Sequence, residues 1–116
     1  MSETAGREGA SEDENQGSAA PANGDLVANL CAAFLTPRDR GEMAALLADL
    51  CTPAEVRTLA ERWQVARLLD GTDLSYREIH ERTGVSTTTI VRVARFLRQE
   101  PHQGYRRALD RTGAAK

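Results

Sequence analysis

The sequence predicts an all-α fold. Apolar residues recur at three- and four-residue spacing from Leu26 onward rather than in alternation, which is typical of amphipathic helices. Aromatic residues make up only 4% of the chain, and Pro and Gly stand at wide intervals, where they mark the ends of helices. With 116 residues, the chain has room for one domain and one core, and a domain of this size often shares its core with a partner subunit.

The domain is predicted to follow an acidic tail. Residues 1–24 contain almost nothing to bury, and the first 25 residues hold six acidic side chains against one arginine, a composition typical of disorder. The folded domain is expected to span residues 25–112, with a disordered C-terminus at residues 113–116. The acidic tail could compete for a basic surface of the domain, although most such tails only improve solubility.

Three helices are predicted in the first part of the domain. Asp25 is expected to cap the first helix, whose apolar stripe is too broad for a surface helix of a monomer and predicts packing against a partner. Thr36 and Thr52, each followed by Pro, are expected to cap the second and third helices, and Gly71 ends the third. The stripe on the first helix consists of Leu26, Val27, Leu30, Cys31, Phe34 and Leu35.

A helix-turn-helix unit is predicted over residues 75–97. Ser75 and Glu78 have the spacing of a capping box, in which each side chain accepts a hydrogen bond from the other residue's backbone amide. Gly84 stands where the turn requires positive φ, and Ser86 is placed to cap the second helix. The side chains expected to be buried between the two helices and the domain are Ile79, Val85, Ile90 and Val93.

A last short helix is predicted from Gly104 to Arg111, after Pro101 ends the second helix of the unit. Tyr105 and Leu109 are expected to face inward. Trp63, on the apolar side of the third helix, is expected in the core.

Composition narrows the classes of function. Residues 75–111 hold eight arginines and four acidic residues, which suits a polyanionic partner such as DNA, although the arginines could also be ordinary solvated charge. No Gly-rich phosphate loop, metal-ligand cluster or nucleophile–base pair is present, so neither an enzyme nor a metal or other cofactor is predicted.

Cys31 and Cys51 are expected to be reduced, buried thiols. No apolar run is long enough to span a bilayer, which favours a cytoplasmic protein without a membrane partner.

Two segments resemble a known family: LLADLCTPAEVRTLAERWQVARLLDG, at residues 46–71, and SYREIHERTGVSTTTIVRVARFL followed by GYRRALD, at residues 75–97 and 104–110. Both are similar to YerC/YecD-type members of the tryptophan repressor superfamily, and the resemblance extends over residues 26–111. It implies a tryptophan-repressor-like domain of about six helices, an intertwined homodimer, and a bacterial transcriptional regulator that binds double-stranded DNA at a palindromic operator. The alternative is a helix-turn-helix used as a protein-interaction module without specific DNA binding.

The second helix of such a unit enters the major groove with its N-terminal residues first, and the family places further DNA-contacting groups on the first helix. Arg77 is the preferred base-reading residue because a guanidinium can donate two hydrogen bonds to guanine. His80 is a candidate contact, although a lone exposed histidine is more often simply solvated. The candidate DNA-binding residues are Tyr76, Arg77, His80, Ser86, Thr87, Thr88, Val91 and Arg95.

A second set of residues matches the positions that surround the co-repressor in the tryptophan repressor. Four of them retain the residue type, but Val93 replaces a glycine that leaves room for the indole ring, and Phe96 replaces a serine that contacts the ligand. Extra side-chain volume in a tight pocket is destabilising, so the resemblance predicts no tryptophan co-repressor and leaves any other effector unknown. This vestigial ligand pocket consists of Thr52, Arg62, Thr89, Arg92, Val93 and Phe96.

Overall fold

The structure, a computed structural model, describes residues 22–113. All regular structure within this range is helical, which confirms the predicted all-α class. The predicted acidic tail and C-terminal residues lie largely outside the described range, so their disorder stays a prediction. None of the helices within residues 22–113 is both long and apolar enough to cross a membrane. The helices are α1 (Asn23–Phe34), α2 (Arg40–Leu50), α3 (Pro53–Gly71), α4 (Tyr76–Thr83), α5 (Thr87–Arg98) and α6 (Gly104–Thr112).

The chain divides into two compact units, Met1–Leu46 and Leu47–Lys116. In the first unit, α1 begins earlier than the sequence suggested. Ala22, with extended backbone angles, is its N-cap, and the Ala22 carbonyl oxygen accepts hydrogen bonds from the backbone amides of Asp25 and Leu26 at 3.0 and 3.1 Å. The prediction that Asp25 caps α1 is therefore wrong: Asp25 lies within the first turn, where its negative charge complements the helix dipole.

The start of α2 also differs from the prediction. The hydroxyl of Thr36 donates to the carbonyl oxygen of Ala33 at 2.8 Å and so closes the end of α1 instead of capping α2. α2 begins one residue after Asp39, whose Oδ1 accepts a hydrogen bond from the Glu42 amide at 2.9 Å. The Glu42 side chain in turn accepts from the Arg38 amide at 2.8 Å. Asp39 directly precedes α2 and its carboxylate is a strong cap, whereas Thr36 lies four residues before Arg40, too far along the chain to cap this helix.

The apolar stripe of α1 is exposed. Its leucine, valine and phenylalanine side chains are between 40% and 85% exposed, and α1 and α2 contribute no buried residue. Cys31 is an exposed free thiol and Cys51 a half-buried one. The prediction that both thiols are buried is therefore wrong for the single chain: Cys31 lies on α1, which has no buried residue, and Cys51 directly follows α2, which has none either.

The second unit contains the core, which is built around α5. This helix packs against α3, α4 and α6. Trp63 and Tyr105 lie at the edge of the core rather than inside it, with their rings stacked at 6.4 Å between centroids. The predicted burial of the helix-turn-helix residues is confirmed, since all four are at most 2% exposed. The buried residues are Val65, Ala66, Leu69, Ile79, Val85, Ile90, Val93, Ala94, Leu97 and Leu109.

Side-chain caps fix the N-terminal ends of α3 and α4, as predicted. Thr52 Oγ1 accepts a hydrogen bond from the Glu55 amide at 3.1 Å, and Glu55 Oε1 accepts from the Thr52 amide at 2.8 Å. Ser75 and Glu78 make the same reciprocal pair at 3.1 and 2.8 Å. α3 ends at Gly71, as expected.

An ion-pair cluster connects α6 to the end of α3. The guanidinium of Arg106 binds both carboxylate oxygens of Asp70 at 2.6 and 2.9 Å and also contacts Asp110 within α6. Arg98 adds a second connection by donating to the Leu69 carbonyl oxygen at 3.2 Å. Two of the arginines in the basic region thus hold helices together.

Candidate nucleic-acid interface

The turn between α4 and α5 has the geometry that the sequence predicts. Gly84 has φ 75° and ψ 0°, and its amide donates to the His80 carbonyl oxygen at 2.9 Å. A Cβ built on Gly84 would meet nothing within 4 Å, so the position requires glycine for its backbone angles and not for space. Thr83 supports the same turn, because its hydroxyl accepts from the Val85 amide at 3.0 Å.

Ser86 begins α5. Its Oγ accepts a hydrogen bond from the Thr89 amide at 3.2 Å and donates to Thr89 Oγ1 at 3.0 Å. The predicted cap is therefore confirmed. The same contacts mean that a DNA-binding role for Ser86 would use a hydroxyl already engaged in holding the start of α5.

His80 connects α4 to the turn. Its Nδ1 lies 2.7 Å from the backbone carbonyl oxygen of Val85. A carbonyl oxygen can only accept, so Nδ1 carries the hydrogen and donates it. The ring is thereby held at the junction of the two helices of the unit, while the residue as a whole stays exposed.

Seven of the candidate residues are exposed on α4 and α5. On α5 they are Thr87 and the residues one, four and eight positions after it, away from the buried positions of that helix; Arg92 and Arg98 are exposed there too. On α4, exposed candidates stand at the first, second and fifth positions. We call this surface the reading face; it consists of Tyr76, Arg77, His80, Thr87, Thr88, Val91 and Arg95.

Two arginines of the reading face have acidic neighbours. Arg77 Nε lies 3.3 Å from Glu81 one turn later on α4, and both side chains are mostly exposed, at 87% and 59%. Such exposed pairs contribute at most about 1 kcal/mol, so a phosphate or a base can displace Glu81. Arg95 Nε lies 2.9 Å from Glu100, which lies in the linker after α5 and is more enclosed.

Three other arginines of the basic region have hydrogen-bond partners outside the reading face. Arg98 and Arg106 make the connections to α3 described above, and Arg107 lies 3.4 Å from the His102 carbonyl oxygen. The sequence left these residues open between surface charge and phosphate contacts. Their hydrogen bonds favour a structural role for Arg98 and Arg106.

A second surface lies beside the reading face, where α5 meets the α5–α6 linker. The guanidinium carbon of Arg92 lies 4.4 Å from the centre of the Phe96 ring, and that ring stacks on His102 with centroids 6.0 Å apart and an angle of 12° between planes. These side chains line a surface pocket of about 310 Å³ together with Gly104 and Tyr105. Burial raises the pKa of Tyr105, and the charges of Arg62 and Arg92 partly offset that rise.

The six predicted ligand-pocket residues do not line one hollow within one chain. Arg92 and Phe96 line the pocket just described, whereas Arg62 lines a separate hollow of about 390 Å³ on α3. Val93 is 1% exposed and lies in the core. Thr52 and Thr89 are engaged in helix caps.

Some features of these hollows were missed by the sequence reasoning. His102 and Tyr105 line the pocket beside α5, whereas the sequence assigned no role to His102 and predicted only that Tyr105 faces inward. The Nε atom of Arg62 is buried and has no hydrogen-bond partner among the described residues. Within residues 22–113, no group of three or more His, Cys, Asp or Glu side chains is placed to hold a metal ion.

The chain is similar to known proteins over most of its described length. Residues 26–113 match the sequence profile of the family described as Trp repressor protein. The uncharacterized protein YerC of Bacillus subtilis is 41% identical over 78 residues, which cover 67% of this chain and 73% of that protein.

Two solved structures are similar in fold as well as in sequence. A Staphylococcus aureus protein assigned as a Trp repressor is 34% identical, with a TM-score of 0.71 over 78% of this chain and 88% of that one. A TrpR-like protein of Eubacterium eligens is 37% identical, with a TM-score of 0.70 over 77% of this chain and 90% of that one. Sequence and fold agree, and the chain belongs to the Trp repressor family as a YerC-type member.

Proposed function

We propose that this protein is a sequence-specific DNA-binding transcriptional regulator that acts as a homodimer through α4 and α5, without tryptophan as co-repressor. The observation that carries the proposal is the reading face, an exposed surface that begins at the N-terminus of α5 and lies opposite its buried side. Membership of the Trp repressor family supports the same function.

Base reading is assigned to the first turns of α5 and to Arg77. In a helix-turn-helix, the N-terminal end of the second helix enters the major groove. Thr87 and Thr88 offer hydroxyl groups to base edges and methyl groups to thymine, and Val91, 55% exposed, offers an apolar contact to a thymine methyl. Arg77 can leave Glu81 and donate two hydrogen bonds to one guanine.

Positioning on the DNA backbone is assigned to Tyr76, His80 and Arg95. Phosphate contacts set the register and orientation of a protein on the duplex without reading its sequence. Arg95 contacts Glu100 through Nε, and the two terminal nitrogens of its guanidinium can donate hydrogen bonds to a phosphate. Ser86 contributes mainly by fixing the start of α5.

The homodimer is inferred from exposed apolar surface. The stripe of α1 is uncovered in the single chain, and Leu50 and Leu59 are also about half exposed, at 51% and 46%. A row of exposed apolar side chains on one helix, as on α1, marks an interaction surface in soluble proteins. We infer that a second copy covers these side chains, in the intertwined dimer that the resemblance to the tryptophan repressor superfamily implies. Such a dimer presents two reading faces to a palindromic operator with half-sites about 34 Å apart.

The absence of a tryptophan co-repressor is inferred from the surroundings of Arg92. Phe96 covers one face of its guanidinium at 4.4 Å, which is the kind of contact that an indole ring would otherwise make. Val93 belongs to the core. The side chains of α5 thus occupy the contact surface that tryptophan would need.

A salt titration of DNA binding tests the proposal. Phosphate contacts release counterions, so the affinity of the full chain for genomic DNA fragments is expected to fall steeply with increasing salt. Fluorescence anisotropy with a labelled duplex gives this slope. Absence of binding at low salt would contradict the proposal and favour the protein-interaction alternative.

A further inference from the structure

We infer that DNA binding takes up a proton at His80, so that this regulator binds its operator more tightly in mildly acidic than in mildly alkaline conditions. The inference rests on the proposed function and deepens it, because it adds a pH response to the same surface. It depends on the hydrogen bond between His80 and the turn, and on the position of His80 within the reading face.

The contact with Val85 fixes which nitrogen of His80 can titrate. Nδ1 donates to the Val85 carbonyl oxygen at 2.7 Å, and this bond holds the hydrogen on Nδ1 in both the neutral and the protonated ring. Nε2 is therefore the nitrogen that gains or loses a proton. Neutral His80 has only a lone pair at Nε2, which accepts hydrogen bonds and repels a phosphate oxygen.

Protonation changes what His80 offers to DNA. The protonated ring has an N–H at Nε2 and a positive charge, and both are attractive to a phosphate. A phosphate held against Nε2 therefore favours the protonated ring, and by linkage the protonated ring favours bound DNA. Binding of one dimer takes up at most two protons, one for each protomer.

The other charged groups around His80 do not produce this pH response. On α4, Arg77 and Glu81 form their own pair, and Glu78 accepts from Ser75; Arg82 is the remaining charge of that helix. Residues 83–91, which form the turn and the start of α5 packed against α4, contain no ionisable side chain. The first charge on α5 is Arg92, which is stacked on Phe96.

The sign of the pH effect follows directly. Protonated His80 makes a phosphate contact that the neutral ring lacks, so DNA binding is tighter at lower pH and weaker as pH rises. The affinity is expected to fall by about tenfold or more between about pH 6 and about pH 8.

Two variants separate the charge of His80 from its structural bond. In His80→Asn, the amide nitrogen replaces Nδ1 and keeps the donor to Val85, but nothing titrates. In His80→Lys, the bond to Val85 is lost while a permanent charge is present. Both variants are expected to bind DNA with little pH dependence, the first more weakly than the wild type at about pH 6.

His102, the other histidine of the chain, provides the matched control. Its Nε2 lies 3.9 Å from Glu100, which pairs with Arg95, so its protonation is the competing explanation of any pH effect. The variant His102→Asn is expected to keep the pH dependence of the wild type.

The experiment measures DNA affinity of the full-length chain and its variants across this pH range, together with proton uptake by calorimetry in buffers of different ionisation enthalpy. Proton uptake that is lost in His80→Asn and kept in His102→Asn supports the inference. Tight specific binding without pH dependence, or a pH dependence that survives in His80→Asn, overturns it while leaving the proposed function intact. Absence of DNA binding at every pH overturns both.

Discussion

The guanidinium carbon of Arg92 lies 4.4 Å above the Phe96 ring, and His102 stacks on that ring with 6.0 Å between centroids. An aromatic side chain of the protein itself therefore occupies one face of a cation that matches a co-repressor-contacting position. We expect no heat of binding when tryptophan is titrated into the protein at micromolar concentrations by calorimetry. A saturable signal with 1:1 stoichiometry for each chain would contradict this expectation.

Replacement of two arginines is expected to separate base reading from backbone contact. Arg77→Ala should reduce the preference for the operator over other sequences by about 1 to 3 kcal/mol, since it removes a bidentate base contact. Arg95→Ala should weaken binding to all sequences alike and reduce the salt slope by about one. Competition binding with operator and scrambled duplexes measures both quantities.

The matched control for this pair is Arg38→Ala, which removes an exposed arginine that pairs with a glutamate four residues later, as Arg77 does, but lies outside α4 and α5. It is expected to change neither specificity nor the salt slope by a comparable amount. Equal losses of affinity in Arg77→Ala and Arg95→Ala, with specificity intact, would contradict the assignment.

The capping box of α4 is expected to contribute measurably to stability. Ser75→Ala removes the acceptor for the Glu78 amide and should lower the free energy of unfolding by about 1 kcal/mol. Chemical denaturation with circular dichroism gives the value. A change in DNA affinity that greatly exceeds the change in stability would indicate that Ser75 itself contacts DNA.

The same box should make stability depend on pH in the acid range. Hydrogen bonds from the Ser75 backbone amide and hydroxyl lower the pKa of Glu78 below its ordinary value of 4.5. The stabilisation is therefore present above that value and is lost as pH falls through the lower pKa of the folded state. The stability difference between the wild type and Glu78→Gln should accordingly shrink with acidification, and a constant difference would contradict this origin.

Gly84 and Gly104 form a matched pair for the turn. Neither glycine has a neighbour within 4 Å of a built Cβ, but only Gly84 has positive φ, at 75°. Gly84→Ala should destabilise the protein by about 1 kcal/mol through backbone strain, whereas Gly104→Ala should be neutral or slightly stabilising. Thermal unfolding compares the two, and equal effects would show that φ is not the cause.

Local side-chain chemistry explains which elements the sequence could predict. Ser75, Gly84 and Ser86 each satisfy a backbone need within three residues of themselves, so spacing alone placed the helix-turn-helix. The cap of α2 was misplaced because both Thr36 and Asp39 precede the helix. α2 begins at Arg40, so Asp39 caps it, and the Thr36 hydroxyl donates to Ala33 in α1. A residue pattern with two candidate caps does not show at which of them the helix begins.

The candidate site was less predictable where it depends on the path of a loop. The stack of Phe96 on His102 depends on the path of the α5–α6 linker, in which Gln103 has φ 63°. Non-glycine residues rarely adopt such angles, and nothing in the linker sequence indicates that Gln103 does. The hydrogen bond from His80 to Val85 likewise depends on the closeness of the turn to α4, which became clear only from coordinates.

Genome-wide selection of DNA fragments bound by the full-length protein tests the central claim most directly. A dimer with two reading faces should enrich a single palindrome, whose half-sites are separated by one helical turn of about 10 base pairs. Enrichment no greater than that of random sequence would contradict the proposal that the protein is a sequence-specific regulator.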